Sequence, residues 1–204
     1  MNRIIELAHE IQALASDGLT YSRNEFDMER YTRMREIAAE LTAEVSDEPP
    51  EKISRLFSEN DGYQTPKVST RAAIFNDRDE VLLVHDYDGK WVMPGGWCEY
   101  NLSLMENTVK EAWEEAGLNV RPLCLVAMHH HQKRFHAQSF FHVLDTFILC
   151  EAMDGEFHQN SETSERRYFA LDRLPELNTH KTDREIIEVC LKARKAEHWV
   201  PLID

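Results

Sequence analysis

Long apolar runs are absent from the start of this 204-residue sequence. Its first stretch, residues 1–19, is interrupted by Glu6, Glu10 and Asp17, which argues against a signal peptide and against a membrane span. We therefore expect a cytoplasmic protein. Hydrophobic residues make up 42% of the chain and charged residues 29%, a balance typical of a protein with a buried core.

Cysteine is scarce, and the four cysteines are far apart in the chain: Cys98, Cys124, Cys150 and Cys190. Because none belongs to a C-x-x-C pair, the sequence favours neither a disulfide framework nor a thiolate zinc site. We expect four scattered, buried thiols.

Basic residues are in the minority, with 23 Lys and Arg against 37 Asp and Glu and a net charge of -14. A chain of this charge repels phosphate backbones, so nucleic acid is not an expected partner. The sequence also gives no support for a membrane partner. A phosphate-bearing small molecule would need cations as mediators.

The first part of the chain has a helical pattern. One helix is predicted from apolar residues on a single face, with Gly18 as its end: Ile4, Leu7, Ala8, Ile11, Leu14 and Ala15. A second is predicted to begin with a capping box at Ser22–Glu25 and to carry its own stripe: Met34, Ile37, Ala38, Leu41 and Val45. A short third helix is expected around residues 51–57.

A break at residues 58–62 predicts a boundary between a helical N-terminal domain (1–60) and a second domain (66–204). A helical unit of this size barely buries its own apolar stripes. We interpret it as a dimerisation or lid element, which makes a homodimer the expected state. The alternative is that its helices dock on the second domain of the same chain.

The second domain alternates strand and helix patterns. Strands are predicted at residues 68–75, 81–85, 119–128, 140–150 and 167–170, and a closing helix at 182–196. Together with a helix that begins near Leu104, they predict an α+β fold with a mixed sheet covered on both faces.

The segment Trp91–Leu118 carries the functional signal. Ser103 and Glu106 form a capping box, and Gly117 is placed to end the helix. One side of the helix is predicted to be apolar: Met105, Val109, Ala112, Trp113 and Ala116. The other side carries three carboxylates: Glu111, Glu114 and Glu115.

Carboxylates three and four residues apart on a helix repel one another unless a cation neutralises them. Magnesium prefers such oxygens, and Gly95 and Gly96 after Pro94 allow a main-chain carbonyl to approach the same ion. An ordinary helix with an acidic outer face is the alternative. The fixed distance between the glycine pair and a capped acidic helix favours the metal site.

These residues resemble the Nudix box, G-x5-E-x7-R-E-U-x-E-E-x-G-U, in which U is aliphatic. The match begins at Gly96 and is complete in spacing through Lys110 to Leu118. Leu102 stands at the position of the first Glu, and Lys110 replaces the Arg. In the family those two residues are mainly structural partners, so the changes bear on local rigidity more than on catalysis.

The whole chain resembles a two-domain Nudix branch related to CDP-choline pyrophosphatases and ADP-ribose pyrophosphatases. The resemblance implies a Nudix α/β/α sandwich with a mixed sheet, preceded by a small all-α N-terminal domain. It also implies hydrolysis of the pyrophosphate bond of a nucleoside diphosphate linked to another moiety, CDP-choline or ADP-ribose, with Mg²⁺ or Mn²⁺. A catalytically silent Nudix-fold nucleotide sensor is the alternative.

Carried over by position, the resemblance assigns Glu111 and Glu115 as the leading metal ligands, Glu114 as a further ligand or base, and the Gly95 carbonyl as a backbone ligand. It adds two candidates for a base on a later loop, Glu162 and Glu165, with an ordinary solvated loop residue as the alternative for each. It also implies two candidates for substrate contact, Arg71 and, with less support, His85, with a surface ion pair as the alternative for Arg71.

Two further sequence features remain open. The triplet His129-His130-His131 is a candidate nucleotide contact but not a metal site, because consecutive side chains on a strand alternate between faces. Trp97, Tyr100 and Phe135 are candidates for stacking on a base, with packing as the alternative.

Overall fold

The computed structural model describes residues 3–46, 49–58, 62–135 and 142–204. The chain divides into two compact units, Met1–Thr65 and Pro66–Asp204. In the described part of the chain, no helix is long and apolar enough to cross a membrane.

The first unit is helical, with α1 at Arg3–Tyr21, α2 at Glu25–Ala43 and α3 at Pro50–Ser58. Helices α1 and α2 bury the small residues Ala8, Ala15, Ala38 and Ala39, whereas α3 buries Ile53 and Phe57. Several large members of the two predicted apolar stripes are not covered by the rest of the unit. They are more than a third exposed: Ile4, Leu7, Leu14, Ile37 and Leu41.

Two predictions for this unit were wrong: that α1 ends at Gly18, and that a Ser22–Glu25 capping box begins α2. Helix α1 continues through Gly18, where a Cβ atom would lie 2.5 Å from the ring of Tyr31. This glycine therefore permits close packing instead of ending the helix. Helix α2 is capped by Asn24, whose side chain accepts from the backbone N–H groups of Phe26 and Asp27, and not by a Ser22–Glu25 box.

The second unit contains both strands and helices, which run in chain order as β1 Lys67–Ile74, β2 Val81–Asp86, β3 Trp91–Val92, α4 Leu104–Ala116, β4 Asn119–His130, α5 His131–Phe135, β5 Val143–Asp154, β6 Thr163–Phe169, α6 Arg184–Lys195 and β7 Leu202–Ile203. A single 3-10 turn, Leu171–Arg173, lies between β6 and α6. The predicted strand 140–150 is described from Val143, and its residues 140–141 lie outside the described residues.

Two sheets form the centre of this unit. One is mixed, with strand order β1-β5-β4-β7, and the other is antiparallel, with order β3-β2-β6. The alternation of strand side chains creates two cores. Ala72 and Ile74 of β1 pack with α4, whereas Ala73 and Phe75 pack with α6. The predicted α+β sandwich with a mixed sheet is confirmed.

Helix α4 is rotated relative to the sequence prediction. Met105 is 39% exposed and Trp113 is 52% exposed, while Glu111 is only 7% exposed. The small side chains Ala112 and Ala116 let the helix lie close to the sheet. That approach places part of the acidic side of the helix at the rim of the protein interior.

Candidate active site

Helix α4 is fixed at both ends by its own sequence. The Ser103 hydroxyl accepts from the backbone N–H of Glu106 at 3.3 Å, and the Glu106 carboxylate accepts from the backbone N–H of Ser103 at 2.9 Å. Gly117 ends the helix with φ of 60°, in the left-handed region that favours glycine. The predicted capping box and helix end are confirmed.

The segment Pro94–Gly96 runs beside β1. The backbone N–H of Thr70 donates to the Gly96 carbonyl at 2.9 Å, and that of Ala72 donates to the Pro94 carbonyl at 2.8 Å. Gly95 has φ of 150°, and a Cβ atom there would lie 1.9 Å from the Thr70 carbonyl oxygen. Only glycine fits this position without a movement of the backbone.

Glu115 lies against this glycine segment. Its carboxylate accepts from the backbone N–H of Gly95 at 2.8 Å. Burial raises the pKa of Glu115 to about 7, against the opposing influence of Arg71 and of the Gly95 N–H. A carboxyl group with this pKa attracts a cation strongly, because a positive charge would relieve the cost of keeping it ionised.

Glu111 lies one helical turn before Glu115 and touches the other glycine. A Cβ atom at Gly96 would lie 2.8 Å from a carboxylate oxygen of Glu111. Burial also raises the pKa of Glu111, and Glu114 and Glu162 raise it further. The glycine pair is therefore flanked by one buried carboxylate, Glu111, and one partly buried carboxylate, Glu115.

Glu114 does not lie at the glycine pair with Glu111 and Glu115. Its side chain is half exposed and forms an ion pair with Lys110. Among the residues that the structure describes, no three carboxylate, imidazole or thiol groups converge as a set of metal ligands. The single acidic face drawn from the sequence thus separates into a pair at the glycine segment, Glu111 and Glu115, and an exposed member, Glu114.

Lys110 also lies 3.3 Å from Glu99 and 3.7 Å from Glu111. Its neighbours raise the pKa of Lys110, with the hydrogen bond to Glu114 as the largest cause. Glu99 thus supplies the acidic partner of Lys110, the basic residue of the box. It replaces the glutamate of the family pattern, at whose position this chain has the uncharged Leu102. The sequence comparison missed Glu99 because it lies three residues before the family position.

Asn107 is a second residue that the sequence did not reveal. It is fully buried, accepts from the backbone N–H of Glu99 at 3.1 Å, and donates to the Thr70 hydroxyl at 2.8 Å. It therefore joins the loop, the helix and β1. No motif position indicates this role, since only the packing makes Asn107 interior.

Arg71 and His85 are separated in the structure. Arg71 donates to the carbonyl groups of Met93, at 3.2 Å, and of Gly95, which places its guanidinium at the glycine segment. His85 lies on β2, where its Nδ1 is 2.8 Å from the Ser164 hydroxyl. Of the two predicted substrate contacts, the structure brings only Arg71 into hydrogen-bonding contact with this segment.

The loop before β6 is attached to the end of α4. Asn160 donates to the Glu114 carbonyl at 2.7 Å, and the Thr163 hydroxyl donates to the Glu115 carbonyl at 2.8 Å. These side chains satisfy carbonyls that the helix end leaves without helical partners. Arg166 adds a third such bond, to the Ala116 carbonyl at 2.6 Å.

Glu162 and Glu165 differ in their surroundings. Glu162 lies between Asn160 and Thr163, and its negative charge raises the pKa of both Glu111 and Glu115. Glu165 lies on β6 and forms an ion pair with Arg167. The structure therefore brings Glu162 towards Glu111 and Glu115, whereas Glu165 has its partner elsewhere.

The candidate aromatic contacts are dispersed. Trp97 and Tyr100 are exposed, and the ring of Phe135 lies 5.2 Å from that of His131. The histidine triplet spans the end of β4 and the first residue of α5, so its members have different neighbours.

This fold and this site define a Nudix hydrolase. Residues 65–190 match the family model of the NUDIX domain, which covers more than half of the chain. The chain belongs to the Nudix family. Residues 2–57 match a second family model, described as a UDP-X-like N-terminal oligomerisation domain.

Similar proteins support this placement over both parts of the chain. A Bacillus subtilis protein, provisionally named ADP-ribose pyrophosphatase YjhB, is 37% identical over 85% of this chain and 84% of its own length. The crystal structure of an ADP-ribose pyrophosphatase from Streptococcus suis is 44% identical, covers 69% of this chain and all of that chain, and has a TM-score of 0.64. A crystal structure of a UDP-X diphosphatase is 29% identical over 98% of both chains, also with a TM-score of 0.64.

Proposed function

We propose that this protein hydrolyses the pyrophosphate bond of a nucleoside diphosphate joined to another moiety, with ADP-ribose as the leading substrate. The observation that carries the proposal is the pair of carboxylates against the glycine segment, the buried Glu111 and the partly buried Glu115. The names of the similar proteins favour ADP-ribose or a UDP-linked compound. CDP-choline is the further candidate from the sequence resemblance.

Nudix hydrolases generally use divalent metal ions, and the residues at this site fit such an ion. The donors are carboxylate and carbonyl oxygens, which hard cations prefer. Burial makes the ionised forms of Glu111 and Glu115 costly, so a cation beside them would offset that cost. We propose that these two carboxylates and the Gly95 carbonyl hold Mg²⁺ or Mn²⁺, with Glu114 as a further ligand after release from Lys110.

A bound divalent ion neutralises phosphate oxygens and lowers the pKa of a coordinated water. The side chains of this protein position the substrate. Arg71 presents a positive charge beside the Gly95 carbonyl and can bind a phosphate oxygen. This charge matters because the net charge of -14 otherwise repels an anionic substrate.

We assign Glu162 as the leading candidate for the base that removes a proton from the attacking water, in preference to Glu165. Its loop is attached to the last carbonyls of α4, which holds it near the carboxylate pair. Its backbone N–H donates to the Asn160 side chain at 2.8 Å, which fixes the local turn. The carboxylate of Glu165 forms an ion pair with Arg167 instead.

The test is hydrolysis of ADP-ribose, UDP-glucose and CDP-choline with Mg²⁺ or Mn²⁺, with separation of the products by chromatography. We expect release of the nucleoside monophosphate by the parent chain and loss of turnover of about 100-fold or more in Glu115→Gln. Glu151→Gln is the matched control, because Glu151 is a surface carboxylate paired with Arg121. Hydrolysis at the parent rate by Glu115→Gln would refute the metal assignment.

Tight nucleotide binding without hydrolysis of any of these substrates would instead support the catalytically silent sensor. Such a result would contradict the proposed enzyme activity and leave the fold unchanged.

We further propose that the helical unit, Met1–Thr65, mediates formation of a homodimer, in preference to acting as a lid. The family model that matches it is described as an oligomerisation domain. Its exposed large apolar side chains, among them Leu14 at 58% and Phe26 at 70%, support an association surface.

A further inference from the structure

A buried polar group lies on the same face of β1 as Arg71. It consists of Ser69, Asp145 and His131. The Ser69 hydroxyl donates to one carboxylate oxygen of Asp145 at 2.5 Å, and Nδ1 of His131 lies 2.5 Å from the other oxygen. Asp145 is only 7% exposed, so two short contacts orient a carboxylate that is largely withdrawn from water.

Strand pairing places this group beside the carboxylate site. Ser69 and Arg71 are two residues apart on β1, so their side chains share a face and are separated by about 7 Å along the strand. Ser69 pairs with Asp145 on one side and with Trp97, which directly follows the glycine pair, on the other. Arg71 donates to the Gly95 carbonyl.

Asp145 orients the imidazole of His131 and leaves its Nε2 atom for another partner. When Nδ1 donates to Asp145, the neutral ring presents Nε2 as a hydrogen-bond acceptor. In the described part of the chain no residue bonds to this Nε2, and the His131 side chain is 17% exposed. The His131 ring is therefore oriented, with Nε2 left to form a hydrogen bond with a bound molecule.

The charges around His131 favour an uncharged hydroxyl over a phosphate. Asp145 repels an anion. His129, which pairs with Asp145 across the strands, has its pKa lowered mainly by burial, which favours its uncharged form. Arg134, whose charge also acts on His129, is held at 3.0 Å by both carboxylate oxygens of Asp183.

We propose that His131, held by Asp145 and Ser69, determines specificity by accepting a hydrogen bond from a hydroxyl of a sugar attached to the diphosphate. The inference rests on the proposed function, because it takes the diphosphate to lie at Arg71 and Gly95. A sugar bonded directly to a phosphate at Arg71 is long enough to span the interval of about 7 Å along β1 between Arg71 and Ser69, which pairs with Asp145.

The first test measures binding without turnover. The full chain with Mg²⁺ is titrated calorimetrically with α,β-methylene ADP-ribose, whose P–C–P bridge resists hydrolysis. We expect His131→Ala to weaken binding by about 3- to 10-fold, the value of one hydrogen bond. His198→Ala is the matched control, because it removes an exposed imidazole that follows α6 and has no assigned role in the site.

Equal affinity of the parent and His131→Ala, equal weakening by both variants, or absence of binding to the parent chain would overturn the proposal. If His131→Ala does not fold, as judged by thermal melting, Asp145→Asn replaces it. That substitution keeps the shape of the side chain and removes the charge that orients His131, and we expect about 3-fold weaker binding.

The second test identifies the sugar by kinetics on ADP-ribose, CDP-choline and the 2′,3′-dideoxy analogue of CDP-choline. Here His131→Ala is compared with the parent chain. If the variant has a higher KM with unchanged kcat for ADP-ribose alone, the result supports contact with the distal ribose. A higher KM for ADP-ribose and CDP-choline, but not for the dideoxy analogue, supports contact with the nucleoside ribose. An equal effect on all three substrates would mean that His131 acts only on the fold, which overturns the proposal.

The two proposals fail in different ways. If the parent chain hydrolyses none of these compounds but binds α,β-methylene ADP-ribose in a His131-dependent manner, the proposed hydrolysis is wrong and the sugar contact stands. If hydrolysis occurs and neither binding nor KM depends on His131, the reverse holds.

Discussion

The Nζ atom of Lys110 lies 3.3 Å from the carboxylate of Glu99. This contact joins helix α4 to the loop that carries the glycine pair. In the family pattern a basic residue at the Lys110 position has its acidic partner at the Leu102 position. Here the charge comes from a different residue of the same loop, so the link survives although the motif is altered.

Glu99→Gln should reduce turnover several-fold while the fold persists. The pair is partly exposed, so its loss should lower the free energy of unfolding by about 0.2–1 kcal/mol. The combined variant Glu99→Gln with Leu102→Glu should recover part of the lost turnover, because it returns a carboxylate to the family position. Denaturant titration and steady-state kinetics measure both effects, and wild-type kinetics in Glu99→Gln would show that the contact is dispensable.

Glycine at position 95 should be essential for the shape of the site. Gly95→Ala would place a Cβ atom 1.9 Å from the Thr70 carbonyl oxygen, so we expect loss of turnover and a destabilisation of about 3 kcal/mol or more. Gly89→Ala is the matched control. Gly89 also has a positive φ, 76°, but among the described residues, apart from its two chain neighbours, no atom lies within 4 Å of its added Cβ. Equal melting temperatures of the two variants would contradict the steric argument.

Glu115 should make the metal-free protein less stable as the pH rises. Its pKa is raised from 4.5 to about 7 by folding, so the folded state holds the proton more tightly than the unfolded state. The contribution of Glu115 is therefore complete below pH 4.5 and is lost as the pH rises through about 7. The loss amounts to at most about 3 kcal/mol.

Unfolding of the parent and Glu115→Gln in EDTA at pH 5 and pH 8 measures this difference. Glu115→Gln should gain stability relative to the parent at the higher pH, and added Mg²⁺ should stabilise the parent more than the variant. A difference between the two proteins that does not change with pH would show that the carboxyl group does not titrate in this range.

Asn160 should act through Glu162. Its side chain accepts from the backbone N–H of Glu162 and donates to the Glu114 carbonyl, so Asn160→Ala should release the loop and lower kcat by about 10-fold with little change in KM. In the Glu162→Gln background, Asn160→Ala should have almost no further effect. Kinetics of the two single variants and the double variant test this, and fully additive losses would contradict it.

The helical unit should control the oligomeric state. Leu14→Glu places a charge on a side chain that is 58% exposed, so it should shift a dimer towards monomer without loss of helix content. Sedimentation velocity and circular dichroism measure both properties. Thr20→Glu provides a control on the same helix, and an unchanged dimer in Leu14→Glu would place the interface elsewhere.

The local sequence was sufficient for elements whose signals lie within a few residues. Ser103, Glu106 and Gly117 determined the ends of α4, because capping bonds form between residues three or four apart. Alternating apolar residues likewise located β1 and β2 to within a residue or two. The Nudix family followed from the spacing of Gly96 and the acidic helix.

Tertiary structure decided which side chains are buried and which meet across the site. Glycine is typical of helix ends, but Gly18 lies within α1, against the ring of Tyr31. Glu111 is buried because small residues bring α4 close to the sheet. Residues far apart in sequence, such as Ser69 and Asp145, meet only through the register of β1 and β5. Local patterns contain no information on such pairings, since burial and long-range hydrogen bonds depend on how whole elements pack.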